Sequence, residues 1–281
     1  MIEDARGRID YEVRGTGSTI VLVPGSCSTG AAWRPVTAAW GNRFRCVTTS
    51  LLGYGDTAER RSARDPSIWH EVDIVESVIR KAGGPVHLVG HSFGALVAIA
   101  VALRNRVTLA SLAVIEAPAA ELLRVNGDRQ HYRAFHQMTG DYFAAFANGN
   151  TEAIATMIDF YGGAGTFASW PLNVRAYALE TTAVNMLDWA SAYGFPLSAA
   201  ALASIDIPVL VLWGELSHPA VQRANALLAA GIIGAVSIEI KTAAHFMIAT
   251  HANEVSRLIA RHAQGAQALS GPMTAAAASS V

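Results

Sequence analysis

The sequence predicts an α/β protein: a mostly parallel sheet flanked by helices, with a helical segment inserted in the middle of the chain. Three observations carry this. Short, continuous apolar runs recur, helix-like stretches alternate with them, and one long central stretch breaks the alternation. Continuous apolar runs suit strands buried on both faces, as in parallel sheets. Strand, helix, strand alternation is the pattern of such a sheet with helices on both sides.

The first element is the exception to continuity. Residues 8–14 alternate polar and apolar, the pattern of a half-buried edge strand, and Gly15-Thr16-Gly17 turns it back. The continuous runs then fall at residues 19–23, 44–49, 86–89, 112–115, 209–213 and 236–240. Helical stretches fall at 68–81, 93–104, 219–230 and 253–262. Residues 119–205 hold helical periodicity and no convincing strand. Tyr132, Phe135, Thr139, Tyr142, Phe143 and Phe146 share one helical face there, with Gly140 weakening the middle. Residues 1–118 and 206–264 are thus expected to form the core, 119–205 a helical cap, and 265–281, rich in Ala, Ser and Gly without a period, a loose tail.

Composition narrows the function. Of 281 residues, 52% are hydrophobic and 15% charged, enough for a large core. The 21 basic and 22 acidic residues leave a net charge of −1, and no basic cluster exceeds Arg60-Arg61, so no nucleic-acid partner is expected. The most apolar run, 94–103, is about half of what a membrane-spanning helix needs, and Met1-Ile2-Glu3-Asp4 opens no signal pattern. The expectation is a cytoplasmic protein acting on a small molecule, with no membrane partner. Cys27 and Cys46 sit in or beside apolar runs and read as buried free thiols. No Cys/His cluster has ligand spacing, and no helix opens after Gly15-Thr16-Gly17 to cradle a phosphate. No metal or organic cofactor is expected.

The chemistry is carried by Gly90-His91-Ser92-Phe93-Gly94. A buried strand precedes it and a helix follows, which is the setting the Gly-x-Ser-x-Gly turn requires. The serine must adopt a strained backbone conformation to expose its hydroxyl. Strand and helix crowd together around it, so the residues two positions to either side must be small. Ser92 is the expected nucleophile.

With this turn, Val23-Pro24-Gly25, Leu52-Gly53-Tyr54-Gly55, the run 211–215 and Ala244-His245-Phe246, the sequence resembles the α/β-hydrolase superfamily over nearly its whole length. The resemblance implies an eight-stranded sheet and a cap over the active site. It also implies that His245, after the last strand, is the base that takes the serine proton, and that His91 packs structurally. One oxyanion-hole donor is the backbone N–H of Phe93, after the nucleophile. By position the other is Ser26, where this chain reads Pro24-Gly25-Ser26 in place of the usual His-Gly-x. Cys27 lies close by but lacks a base of its own.

The chain departs from the family's pattern at the acid. The usual aspartate position holds Ser217. Two carboxylates are available: Glu116, at the end of the run 112–115, and Glu215. Some branches of the superfamily place the acid at the strand end that Glu116 occupies, and the order Ser92, Glu116, His245 is the required one. Glu116 is the expected acid and Glu215 the alternative.

More than half of the aromatic residues fall in 119–205, which suggests a greasy pocket as well as a packed cap. The expected activity is cleavage of a small apolar or aromatic carboxylic ester through an acyl-enzyme on Ser92. The same motifs would serve C–C bond hydrolysis, lactone hydrolysis or cofactor-free haloperoxidation. A non-catalytic ligand receptor is the reading from another class. Epoxide hydrolases and haloalkane dehalogenases need an aspartate where Ser92 stands.

Overall fold

The computed structural model describes residues 1–270. In chain order the elements are β1 (Ile2–Asp4), β2 (Gly7–Ile9), β3 (Glu12–Arg14), β4 (Ser18–Val23), a 3₁₀ turn (Gly30–Trp33), α1 (Arg34–Ala38), β5 (Phe44–Thr48), α2 (Trp69–Ala82), β6 (Val86–His91), α3 (Phe93–Arg104) and β7 (Leu109–Ile115). Helices α4 (Ala120–Val125), α5 (Arg129–Ala147), α6 (Ile154–Gly162), α7 (Thr166–Ser169), α8 (Leu172–Glu180), α9 (Thr182–Tyr193) and α10 (Ala199–Ala203) follow without a strand among them. The chain then resumes as β8 (Val209–Gly214), α11 (Pro219–Gly231), β9 (Val236–Ile240), α12 (Met247–Thr250) and α13 (Ala252–Ser270).

The main sheet has seven strands in the order β3-β5-β4-β6-β7-β8-β9. It is parallel throughout except for β3 at the edge. Alternation along each strand explains the continuous apolar runs. Ile20 and Leu22 of β4 point to the side covered by Trp33, Val36, Val255 and Ile259, in the layer of α1 and α13. Val21 and Val23 point to the opposite layer, with Val75 of α2, Val97 of α3 and Val221 of α11. Both faces are therefore dry, and each fully buried aliphatic side chain contributes about 1.5–3 kcal/mol.

Two expectations are corrected. The sheet has seven strands, not eight, because the predicted strand 8–14 is broken at Asp10. There Thr57 Oγ1 accepts from the Asp10 N–H at 3.0 Å and Thr49 Oγ1 donates to the Asp10 carbonyl at 2.7 Å, so side chains take the groups a continuous ladder would use. The piece before the break pairs only with β1, as a separate antiparallel hairpin, and the piece after it becomes β3. The second correction concerns the tail. Helix α13 runs past residue 264 to Ser270, because Val255, Ile259, Ala263 and Ala266 extend one buried stripe at helical spacing. The remainder of the expected tail, 271–281, lies outside the described residues.

In the helical insertion, α5 passes through Gly140 unbroken and buries Phe135, Met138, Thr139 and Tyr142. Among the described residues, no helix is long and apolar enough to cross a membrane.

Candidate active site

Three parallel strands end side by side, and the chain bends into positive φ just beyond each. Cys27 in the loop after β4 has φ 55°, Ser92 after β6 has φ 54°, and Glu116 after β7 has φ 56°. Such conformations cost a residue with a side chain on the order of 1–3 kcal/mol, so they persist only where surrounding structure enforces them. At Ser92 the enforcement is visible. Its N–H donates to the Ile115 carbonyl at 2.8 Å. A Cβ on Gly90 would run into the backbone of Gly94, and one on Gly94 into the Pro24 carbonyl. Strand, loop and helix thus close around the turn, and only glycine fits at its flanks.

Ser92 Oγ lies 3.0 Å from His245 Nε2, and His245 Nδ1 lies 3.0 Å from Glu116 Oε2. The carboxylate accepts, so Nδ1 carries the proton and Nε2 is left to accept from the serine hydroxyl. His245 and Glu116 are both buried. The Glu116 side chain is fixed from its other oxygen: Oε1 accepts from the Gly214 N–H and from Ser217 Oγ, each at 2.7 Å. The position where an aspartate was looked for thus holds a hydroxyl that braces a carboxylate arriving from the neighbouring strand. A second carboxylate at 217 would crowd like charges together.

Glu215, the alternative acid, lies elsewhere. It accepts from the Thr242 N–H at 2.9 Å and from Lys241 Nζ at 3.0 Å, and these contacts hold its carboxyl below the usual range.

The His91 ring lies tilted beside that of His245, with centroids 5.0 Å apart, and donates from Nε2 to the His245 carbonyl at 2.9 Å. Burial, aided by the nearby His245, pushes its pKa down to about 3, so the ring is neutral. An unfolded histidine titrates near 6.5. Below that pH the unfolded chain takes up a proton that the folded one refuses. This contribution to stability is complete above about 6.5 and is lost as the pH falls toward the folded value. The fall in Tm between about pH 7 and about pH 5 should therefore be smaller in His91→Gln than in the parent protein. Equal falls in thermal melts would remove His91 from the account.

Ser26 and Phe93 come together at the mouth of this arrangement, lining the cavity with Ser92 and His245. Phe93 opens α3, so its N–H has no acceptor within the helix. Among the described residues, the Ser26 N–H has no backbone acceptor either. The Ser26 hydroxyl donates to Asp188 Oδ2 at 2.5 Å. Cys27 is free, and burial raises its thiol to about 12, which leaves it no thiolate character.

The cavity measures about 830 Å³. Core loops form its floor. Met157, Ile158 and Tyr161 of α6, Val174 and Tyr177 of α8, and Trp189 of α9 form its other walls. The Tyr161 ring sits 4.0 Å from that of His245.

A model of the alpha/beta hydrolase family matches residues 20–258. The chain belongs to the alpha/beta hydrolase family. Among its curated relatives are haloalkane dehalogenase 2 of Mycobacterium tuberculosis, 31% identical over 104 residues (37% of this chain, 36% of the relative), and the pimeloyl-[acyl-carrier protein] methyl ester esterase of Vibrio cholerae, 33% identical over 95 residues (34% and 35%). The chain spans about a third of the length of these relatives. A solved thermophilic esterase from Thermogutta terrifontis superposes with a TM-score of 0.70 at 21% identity, covering 92% of this chain and 93% of that one, which shows the shared fold. This alpha/beta hydrolase family member has an esterase among its curated relatives.

Sequence reasoning missed the charged network behind the loop at Ser26. Asp188 of α9 is buried and also accepts from the Tyr54 hydroxyl at 2.6 Å and from Arg61 NH1 at 2.7 Å. The same guanidinium meets Glu71 at 3.1 Å and Glu59 at 2.8 Å. In the sequence Arg61 figured only as half of the longest basic cluster, Arg60-Arg61. Its role rests chiefly on Asp188, 127 positions away in sequence, and the one local hint was a carboxylate at 188 in a helical segment. Among the described residues, no group of three or more His, Cys, Asp or Glu side chains is arranged to hold a metal ion.

Proposed function

We propose that this hydrolase cleaves a carboxylic ester with a small apolar or aromatic body, through an acyl-enzyme on Ser92. One observation carries the reading: the unbroken chain Ser92 Oγ, His245 Nε2, His245 Nδ1, Glu116 Oε2 in a largely apolar cavity. Ser92 Oγ attacks the ester carbonyl as His245 takes its proton. Glu116 stabilises the imidazolium, and the N–H groups of Ser26 and Phe93 receive the charge on the carbonyl oxygen. His245 then protonates the departing alcohol. A water molecule, deprotonated by the same histidine, cleaves the acyl-enzyme, releasing the acid and restoring Ser92.

The contact of Glu116 with His245 supports an enzyme over a mere receptor. The experiment is a rapid-mixing assay with a short-chain nitrophenyl ester, followed by a phosphonate probe and peptide mass spectrometry. The expected result is a chromophore burst equivalent to one per active site and a phosphonate on Ser92. Absence of turnover, or an adduct on Cys27, would overturn the reading.

A further inference from the structure

Helix α9 turns two polar residues, Asn185 and Asp188, into the cavity one helical turn apart. Their situations differ. Asp188 is saturated by Ser26, Tyr54 and Arg61. Asn185 is equally buried, at 1% exposure, yet among the described residues its carboxamide has no hydrogen-bond partner, and its Oδ1 is a buried, unsatisfied acceptor. A buried amide without a partner is costly, and in native proteins such a group calls for a specific explanation. Packing does not supply one, because leucine has nearly the same shape and no polar atom. The helix is also not free to swing the group away: the Asn185 N–H is bonded to the Thr181 carbonyl at 3.0 Å, and Asp188 ties the next turn to the core.

We propose that Asn185 is a substrate-recognition residue, and that the substrate is an uncharged ester carrying a hydrogen-bond donor, an amide N–H or a hydroxyl, on its otherwise apolar body. The charge state follows from the lining. Among the described residues, no Lys or Arg side chain lines the cavity, so an anionic substituent would enter without a counter-ion, and the lining carboxylate Asp188 is already engaged by Ser26, Tyr54 and Arg61. The donor follows from Oδ1, which can only accept. Cavities of this kind fix a ligand's orientation by a few polar groups set in apolar walls. The inference rests on the cavity being the substrate site, as proposed above, but its test does not need turnover.

Ser92→Ala protein provides that test, since it binds esters without consuming them. Calorimetry would compare matched pairs of neutral alkanoyl esters: one member carries an amide N–H, the other the same amide N-methylated, with the amide stepped along the chain. A hydroxyl-bearing series against its methyl ethers separates the two donor types. For at least one position, the donor-bearing member should bind about tenfold or more tightly than its twin. Adding Asn185→Leu, or Asn185→Ala as a second variant, should bring that ratio to about one. A ratio near one at every position in Ser92→Ala, or a ratio that survives both Asn185 substitutions, would overturn the proposal. Failure of ester hydrolysis in the unaltered enzyme would instead count against the catalytic reading alone.

Discussion

Ser92→Ala should lower turnover of a nitrophenyl ester by about 10⁵- to 10⁶-fold, the loss seen when the nucleophile of a serine hydrolase triad is removed. It should leave Tm nearly unchanged. The left-handed backbone at Ser92, φ 54°, strains any residue with a Cβ, and alanine and serine carry the same one. Gly90 and Gly94 crowd the backbone around the turn and not the hydroxyl, so the smaller side chain meets no new contact. The hydroxyl makes its one protein hydrogen bond to His245 Nε2, and the nitrogen it leaves behind faces the cavity. Stability and activity are therefore expected to separate, which distinguishes loss of the nucleophile from loss of the fold. Differential scanning calorimetry beside a steady-state assay measures both. Substantial turnover in a variant with an unaltered melting transition would show that another group attacks. Cys27 is ill placed to be that group, since burial keeps its thiol protonated.

How much of this was legible depended on how local each feature is. The strands β4, β6, β7 and β8 announce themselves because both of their faces are dry, and the turn at Ser92 because its glycines answer crowding within five residues. His245 was found by its place after the last strand. The break at Asp10 was not readable. It depends on the hydroxyls of Thr49 and Thr57, which come close only once the chain has folded back. The end of α13 was hidden by composition, since a buried stripe continued by Ala263 and Ala266 looks like a low-complexity tail. The partner of His245 was half legible: Glu116 was readable as a candidate, but that Ser217 would brace it was not. The Asp188–Arg61 pair and the unpartnered Asn185 left almost no trace, because an ion pair between residues 127 positions apart has no sequence period.

The acid gives the sharpest contrast between two single variants. Glu116→Gln should lower turnover by about 10⁴-fold, as the corresponding carboxylate-to-amide change does in a serine protease. The hydrogen bonds say why. In the parent protein Glu116 Oε1 accepts from the Gly214 N–H and Ser217 Oγ, and Oε2 accepts from His245 Nδ1. A glutamine has a single oxygen. The two donors at Gly214 and Ser217 hold it on their side, and the amide NH₂ is left facing His245. Nδ1 must then accept, the ring proton moves to Nε2, and the nitrogen that should take the Ser92 proton already carries one. The shape of the site is kept and its proton inventory is reversed. Glu215→Gln disturbs none of this. It weakens an exposed pairing with Lys241, of a kind that solvent screens, and should change turnover by no more than about twofold. Both variants assayed on one ester across the pH range decide between the carboxylates. A severe loss in Glu215→Gln with Glu116→Gln near parental activity would move the acid to residue 215. Equal, small losses in both would mean that His245 works without a carboxylate partner, and the buried contact at 3.0 Å would then be structural only.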